Sequence, residues 1–357
     1  MVKNKFSIFN TTVLVVSILL VLRCEGQKDH NGGVQETGTP SLAAPNGSMS
    51  LTDVDDDNLI QLLQDMSGVS TVTVNGSQYV IDQRYTPEAK ANYRAYWLQY
   101  FASLNIPTSV LPYKTAFRIG ETQGHNMEAV LEGKSKDTII VISHYDSMGP
   151  TGDETSNPAA DDDMSGMSTM LETARVLSIY KDSLQYTVRF VATDYEEESN
   201  PDLEGARVYA QYIDNLAKKE HFKIIASIGM DQTGWDCLLH DACQDSTTQD
   251  TLDVFSCSDD DNNFDSQGFG DMFTKFVSQY SALEVERSCT IDDSDAYVFW
   301  EIGVPTFTYV EHNPDLNTHF DDNGNDTFAH IDQEYFLKIS QVSTAFVARL
   351  AGVGVKK

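Results

Sequence analysis

Histidine and carboxylate residues gather at the ends of apolar stretches in this sequence. Ile139-Ile140-Val141-Ile142 runs into Ser143-His144-Tyr145-Asp146-Ser147. Val188 to Ala192 leads into Asp194-Tyr195-Glu196-Glu197, and Ile224 to Met230 leads into Asp231. Asp161-Asp162-Asp163 precedes Met164-Ser165-Gly166, and His319 follows Asn317-Thr318 near the C-terminus. Two imidazoles with several carboxylates are the ligand inventory of a zinc site. Taken singly, each acid run is ordinary solvated surface in a chain with 54 Asp and Glu against 24 Lys and Arg. Gathered at one place they are costly, because like charges oppose one another's ionisation. A bound cation supplies the missing charge.

The elements that must position these groups can be read from the pattern. Strands are predicted at residues 137–147, 187–194, 223–231 and 305–310, and helices at 165–180, 203–219, 269–283 and 333–350. Strands alternating with helices predict an α/β fold. The expected form is a mixed, largely parallel central sheet with helices on both faces, three layers α/β/α. Ligands of such sheets collect at the carboxyl ends of the strands, which is where these acids and histidines stand. Upstream, Leu59, Ile60, Leu62, Leu63 and Met66 have helical spacing, with Gly68 as a stop. Residues 71–80 are predicted to be one strand. Thr86-Pro87-Glu88 opens a further helix with a hydroxyl cap, Pro at its first position and an acid in its first turn. Its Tyr93, Tyr96, Trp97 and Tyr100 are core candidates. No internal repeat is present.

Composition narrows the class. The 357 residues carry a net charge of −30 and 41% apolar residues. That argues against a nucleic-acid binder, which needs a basic face, and against docking on anionic lipid. Residues 1–26 are expected to be a secretory signal: Lys3 and Lys5, the apolar run Val13–Leu22, then Cys24-Glu25-Gly26 before Gln27. The chain is therefore expected to be secreted, extracellular or periplasmic, with no membrane insertion of the mature chain. An anchor formed by residues 13–22 or a lipid on Cys24 are the alternatives; ten apolar residues are short for a bilayer. Residues 27–50, rich in Gly, Pro, Ser, Thr and Asn, are expected to be a flexible leader. Cys237, Cys243, Cys257 and Cys289 predict two disulfides, with three connectivities open. Asn46, Asn75 and Asn325 open glycosylation sequons. Asp259–Asn263 lacks the Gly and Glu of a calcium loop and is expected to be a solvated loop.

The ordered set His144-Tyr-Asp146-Ser147, Asp162 before Ser165-Gly166, Phe190 before Glu196-Glu197, Met230-Asp231, Ser294-Asp295, Gly303-Val-Pro305 and His319 resembles the co-catalytic zinc aminopeptidases, metallopeptidase family twenty-eight. Bacterial leucyl aminopeptidase, glutamate carboxypeptidase and glutaminyl cyclase are members. The resemblance runs from about residue 125 to 351, making 51–357 a single metallopeptidase domain with N-terminal helices in 51–124 and a catalytic core in 125–351. It implies two zinc ions. His144 and Asp231 would hold one, Glu197 and His319 the other, with Asp162 bridging. Glu196 would be the general base, and Asp146 would orient His144. Ser165-Gly166 sets the register of Asp162 within its acid run, and Phe190 sets that of Glu196 and Glu197. The implied activity is hydrolysis of the N-terminal peptide bond of peptides with a free N-terminus. Glutaminyl-peptide cyclotransferase, carboxypeptidase or dipeptidase activity are alternatives on the same fold, and a degenerate binding ectodomain is the non-enzyme alternative. Two departures stand out. Ala296 stands where the family often has His after Ser-Asp, and Cys289-Thr290-Ile291-Asp292 lacks the Tyr of the bacterial aminopeptidases.

Overall fold

The computed structural model describes residues 39–115, 123–149, 156–197, 203–240, 242–243, 250–256, 258–259, 264–289, 294–318 and 324–356. In chain order the elements are β1 (Ser48–Ser50), α1 (Asp56–Met66), β2 (Thr71–Val74), β3 (Ser77–Val80), α2 (Pro87–Ser103), β4 (Thr108–Lys114), β5 (Gln123–Leu131) and β6 (Ser135–His144). There follow α3 (Met164–Ile179), β7 (Tyr186–Thr193), α4 (Glu204–Glu220), β8 (Ile224–Met230) and β9 (Thr251–Phe255). The short β10 (Ser258–Asp259) and β11 (Phe264–Asp265), then α5 (Ser266–Tyr280), β12 (Glu284–Ser288), α6 (Tyr297–Glu301), β13 (Thr306–Glu311), α7 (Gln333–Ala351) and β14 (Gly354–Lys356) complete the chain.

Eight strands form one mixed sheet in the order β12-β9-β13-β8-β6-β7-β5-β4. Its centre, β13-β8-β6-β7, is parallel throughout. Antiparallel pairings join β9 to β13, and β5 to β7 and β4. The apolar run of β6 is buried on both faces, as central strands between helices require. Ile139 and Val141 pack into the core shared with α1, α2, α3, α5 and α7. Ile140 and Ile142 pack on the opposite face against α4 and α6. Each such side chain contributes about 1.5–3 kcal/mol on burial. This is the α/β architecture with helices on both faces that the pattern predicts.

Helix starts follow their caps. Thr86 accepts from the Ala89 N–H ahead of Pro87 at the start of α2. Asp163 caps α3 by accepting from the Gly166 N–H at 3.0 Å. α3 is nearly all buried, and the hydroxyls of Thr169 and Thr173 meet Ser340 and Thr344 of α7.

Some sequence expectations need correction. Residues 71–80 are not one strand but a hairpin, β2–β3, turned at Asn75-Gly76, both with positive φ. That dipeptide suits a two-residue turn matching strand twist. The stretch 51–124 is not only helical, because it holds this hairpin and β4. The end of the expected leader is docked rather than flexible. β1 pairs in parallel with β14, Met49 is buried, and Arg349 donates to the Ala43 carbonyl. Strands β4, β9 and β12 are not announced by the pattern: β4 carries Pro112, β9 is only five residues long, and Val285 is the one apolar residue of β12. The expected signal peptide, residues 13–22, Cys24, Cys257 and residues 260–263 lie outside the described residues. Among the described residues no helix is long and apolar enough to cross a membrane. Cys237 and Cys243 form a disulfide, and Cys289 is also disulfide-bonded.

Candidate metal centre

Because β6, β7 and β8 are parallel neighbours, their carboxyl ends share one rim, with His144 of β6 level with Thr193 of β7. β6 delivers His144 and then Asp146. β7 delivers Asp194 and then Glu196 and Glu197, and β8 delivers Asp231. The loop entering α3 brings Asp161, Asp162 and Asp163 to the same place.

The imidazole of His144 is the hub. Its Nε2 lies 2.8 Å from Asp162 Oδ1 and 3.9 Å from Asp231 Oδ1. On the other side Nδ1 faces the Asp146 carbonyl oxygen at 3.3 Å and its carboxylate at 3.8 Å. With Nδ1–H donated to the Asp146 carbonyl, a cation replacing the proton on Nε2 would find the tautomer a metal ligand needs. Ligand atoms of His144, Asp162 and Glu197 lie within 4.8 Å of one another, as do those of His144, Asp163 and Asp231. The Glu196 N–H donates to Asp146 Oδ1 at 3.1 Å, so the carboxylate beside His144 also holds the backbone of Glu196.

The electrostatics are those of a cation site. Burial pushes Glu196, Glu197 and Asp231 well above the ordinary carboxylate range, and neighbouring carboxylates push further. Burial alone would lower His144, but Glu196, Asp162 and Asp163 raise it well above its usual value. Asp231 Oδ1 and Asp146 Oδ2 are buried and make no hydrogen bond. Lys90 is paired with Asp194, and the Arg84 guanidinium donates its hydrogen bonds to backbone carbonyls while its charge acts on Asp146 and Glu197 from nearby. A borderline divalent cation fits this set of one imidazole and several carboxylates, and it would reverse the shifts.

The fold thus brings together His144, Asp146, Asp162, Glu196, Glu197 and Asp231. His319 lies outside the described residues. Asn317, two residues earlier, donates to Asp161 Oδ2 at 3.1 Å and Glu311 Oε1 at 2.8 Å, tying its loop to the neighbour of Asp162. Sequence reading missed several supporting groups. Asp326 accepts the N–H groups of Asp161 and Asp162 at 2.8 and 2.9 Å, and Gln232 donates to Asp162 Oδ2 at 2.8 Å. The buried Arg84 guanidinium donates to the carbonyls of Met66, Tyr145, Pro158 and Ala159. It thereby clamps the loop carrying Asp146 to the loop entering the acid run. None of these three carries a local signal, since each reaches the site's loops across more than sixty residues of chain. Asp295 meets the Thr193 hydroxyl, and burial raises its carboxyl to about 6.

Fold and site together define a class: an α/β protein with a cluster of residues that could hold a metal ion at the carboxyl edge of a mixed sheet. The chain belongs to peptidase family M28, whose family model matches residues 126–347, more than half of it. Leucine aminopeptidase 1 of Metarhizium robertsii is 25% identical over 231 residues, covering 63% of this chain and 54% of that protein. Leucine aminopeptidase 1 of Sclerotinia sclerotiorum is 25% identical over 233 residues, covering 62% and 55%. The match thus spans about half the length of these relatives. Among solved structures, the LapA aminopeptidase of Legionella pneumophila superposes with a TM-score of 0.62 at 20% identity, covering 85% of this chain and 72% of that one. Macrostomum lignano glutaminyl cyclase superposes with a TM-score of 0.66 at 15% identity, covering 90% and 98%. At these identities the likeness is one of fold.

Proposed function

We propose that this chain is a secreted, dizinc exopeptidase that removes N-terminal residues from peptides. The carrying observation is the meeting of His144, Asp162, Glu197 and Asp231 at one rim with a further acid, Glu196, beside them. His144 and Asp231 would hold one cation, Glu197 and His319 the other, and Asp162 would lie between both. A pair of bound divalent cations supplies acidified water and a polarised scissile carbonyl. Glu196 takes the proton of the attacking water and returns it to the leaving amine. Asp146 holds His144 by Nδ1 and Glu196 by its backbone, keeping ligand and base in register. The acid-rich rim attracts the free α-ammonium of a peptide.

The test is hydrolysis of a panel of aminoacyl-p-nitroanilides by the purified chain, before chelation, after chelation and after zinc is restored. The expected result is activity lost with the metal and regained with zinc. A zinc-loaded chain inert on every free-amine substrate overturns the reading, and product analysis on N-terminal glutaminyl peptides would then test cyclisation. Secretion is tested separately: the protein recovered outside the cell is expected to begin at Gln27.

A further inference from the structure

We propose that Lys90, on α2 and outside residues 126–347 matched by the family model, is a positioning residue for the turn that carries Glu196 and Glu197. The inference rests on the reading of those two acids as base and ligand. The Lys90 side chain is fully buried, which is rare for an ammonium and demands a partner. It has two. Its Nζ lies 2.6 Å from Asp194 Oδ1, on a side chain equally buried, and 3.8 Å from the centre of the Tyr195 ring. One ammonium therefore grips two successive residues, the first by charge and the second by the face of its ring.

Both residues lie between the end of β7 and the acid pair. Asp194 is tied on its remaining sides. Its Oδ2 accepts the His125 N–H at 3.0 Å, its N–H donates to Asn126 Oδ1 at 3.1 Å, and its carbonyl accepts the Tyr113 hydroxyl at 2.8 Å. Tyr195 has φ of 63°, a left-handed conformation that bulky residues rarely adopt and that surrounding structure must hold. This reversal carries the chain out of the strand line so that the Glu196 N–H meets Asp146 Oδ1. The ring of Tyr195 is the handle on that reversal, and Lys90 is what grips it. A buried ion pair that only supports the fold is often replaceable by apolar groups at no loss, and this separates the two roles experimentally.

Three variants of the full chain decide the matter. Lys90→Met/Asp194→Asn removes both charges, leaves no unpaired buried ion and is expected to fold. Its kcat is expected to fall about tenfold or more, with KM unchanged, because the base is misplaced rather than removed. Its zinc Kd, measured by competition with a chromophoric chelator, is expected to rise about tenfold, because Glu197 follows the same turn. Tyr195→Leu keeps the ion pair and is expected to show both losses; Tyr195→Phe keeps the ring over the ammonium and is expected to show neither. A folded double variant, or a folded Tyr195→Leu, with wild-type kcat and zinc affinity overturns the proposal. If the wild-type chain cleaves no free-amine substrate, the proposed function fails, while the zinc competition still decides the role of Lys90.

Discussion

Glu196→Gln is the sharpest perturbation of the proposed chemistry. The two side chains have the same shape, and the structural anchor of this residue is its backbone N–H, 3.1 Å from Asp146 Oδ1, which the substitution leaves alone. The change therefore removes proton-accepting capacity and one negative charge, and no metal ligand. General acid–base catalysis contributes roughly 10²–10⁴-fold, so kcat is expected to drop by that factor, about 3–5 kcal/mol in barrier. Zinc content, measured on the dialysed protein, stays at the wild-type value. The metal-free protein supplies an independent readout. Burial, then Asp295, Asp162 and Asp146, oppose the ionisation of Glu196, so a neutral amide there raises the thermal midpoint of the chelated protein at pH 7. The assays are p-nitroanilide kinetics, metal analysis and calorimetry. A kcat within tenfold of wild type refutes Glu196 as the base. Zinc lost in step with activity makes it a ligand instead.

Three further outcomes are expected. Arg84→Met strands the buried carbonyls of Met66, Tyr145 and Pro158, that of Ala159 keeping the Met164 N–H, and at ~1 kcal/mol each it costs about 3 kcal/mol in chemical denaturation; a loss below ~1 kcal/mol would show that the clamp is dispensable. Gly166→Ala should weaken zinc binding about tenfold and destabilise the chain, although Ala is the better helix former by ~1 kcal/mol. A Cβ there overlaps Asp163 Oδ1 and the carbonyl of Met230, the residue before Asp231, so a stabilised variant would contradict the close approach. The chelated protein should lose stability as pH rises from about 4 to beyond 6. Burial raises the carboxyls of Asp161 and Asp295 from 3.8 to about 6, so the folded state binds more protons than the unfolded state across that window. Their contribution is complete below 3.8 and gone above about 6; a thermal midpoint rising with pH over this range would be the wrong sign.

Much of the site was legible because its residues sit at fixed offsets from strong local signals. Ile139–Ile142, a short β-branched apolar run, has the signature of a strand buried on both faces, so His144 and Asp146 follow at its end. Ser165-Gly166 at the start of the next helix sets the register of Asp162 within its acid run. Elements without local contrast were not legible. β9 (Thr251–Phe255) and β12 (Glu284–Ser288) are short and half polar, and their pairing rather than their composition makes them strands. The Asn75-Gly76 turn was visible in principle, but the flanking residues read as one continuous strand.

Periodicity and charge were enough to place acids and an imidazole at strand ends, because backbone geometry links apolar spacing to strand and helix within a few residues. They could not show which partners those groups keep. Arg84 reaches Ala159, Asp326 reaches Asp161 and Lys90 reaches Asp194, each across 75 or more residues of chain. Such pairings depend on the order of strands in the sheet and on which helices cover each face. The rim where His144, Asp162, Glu197 and Asp231 meet exists because β6, β7 and β8 are parallel neighbours. That adjacency belongs to the packed chain, where burial brings like charges within a few ångströms of one imidazole and creates the demand for a cation.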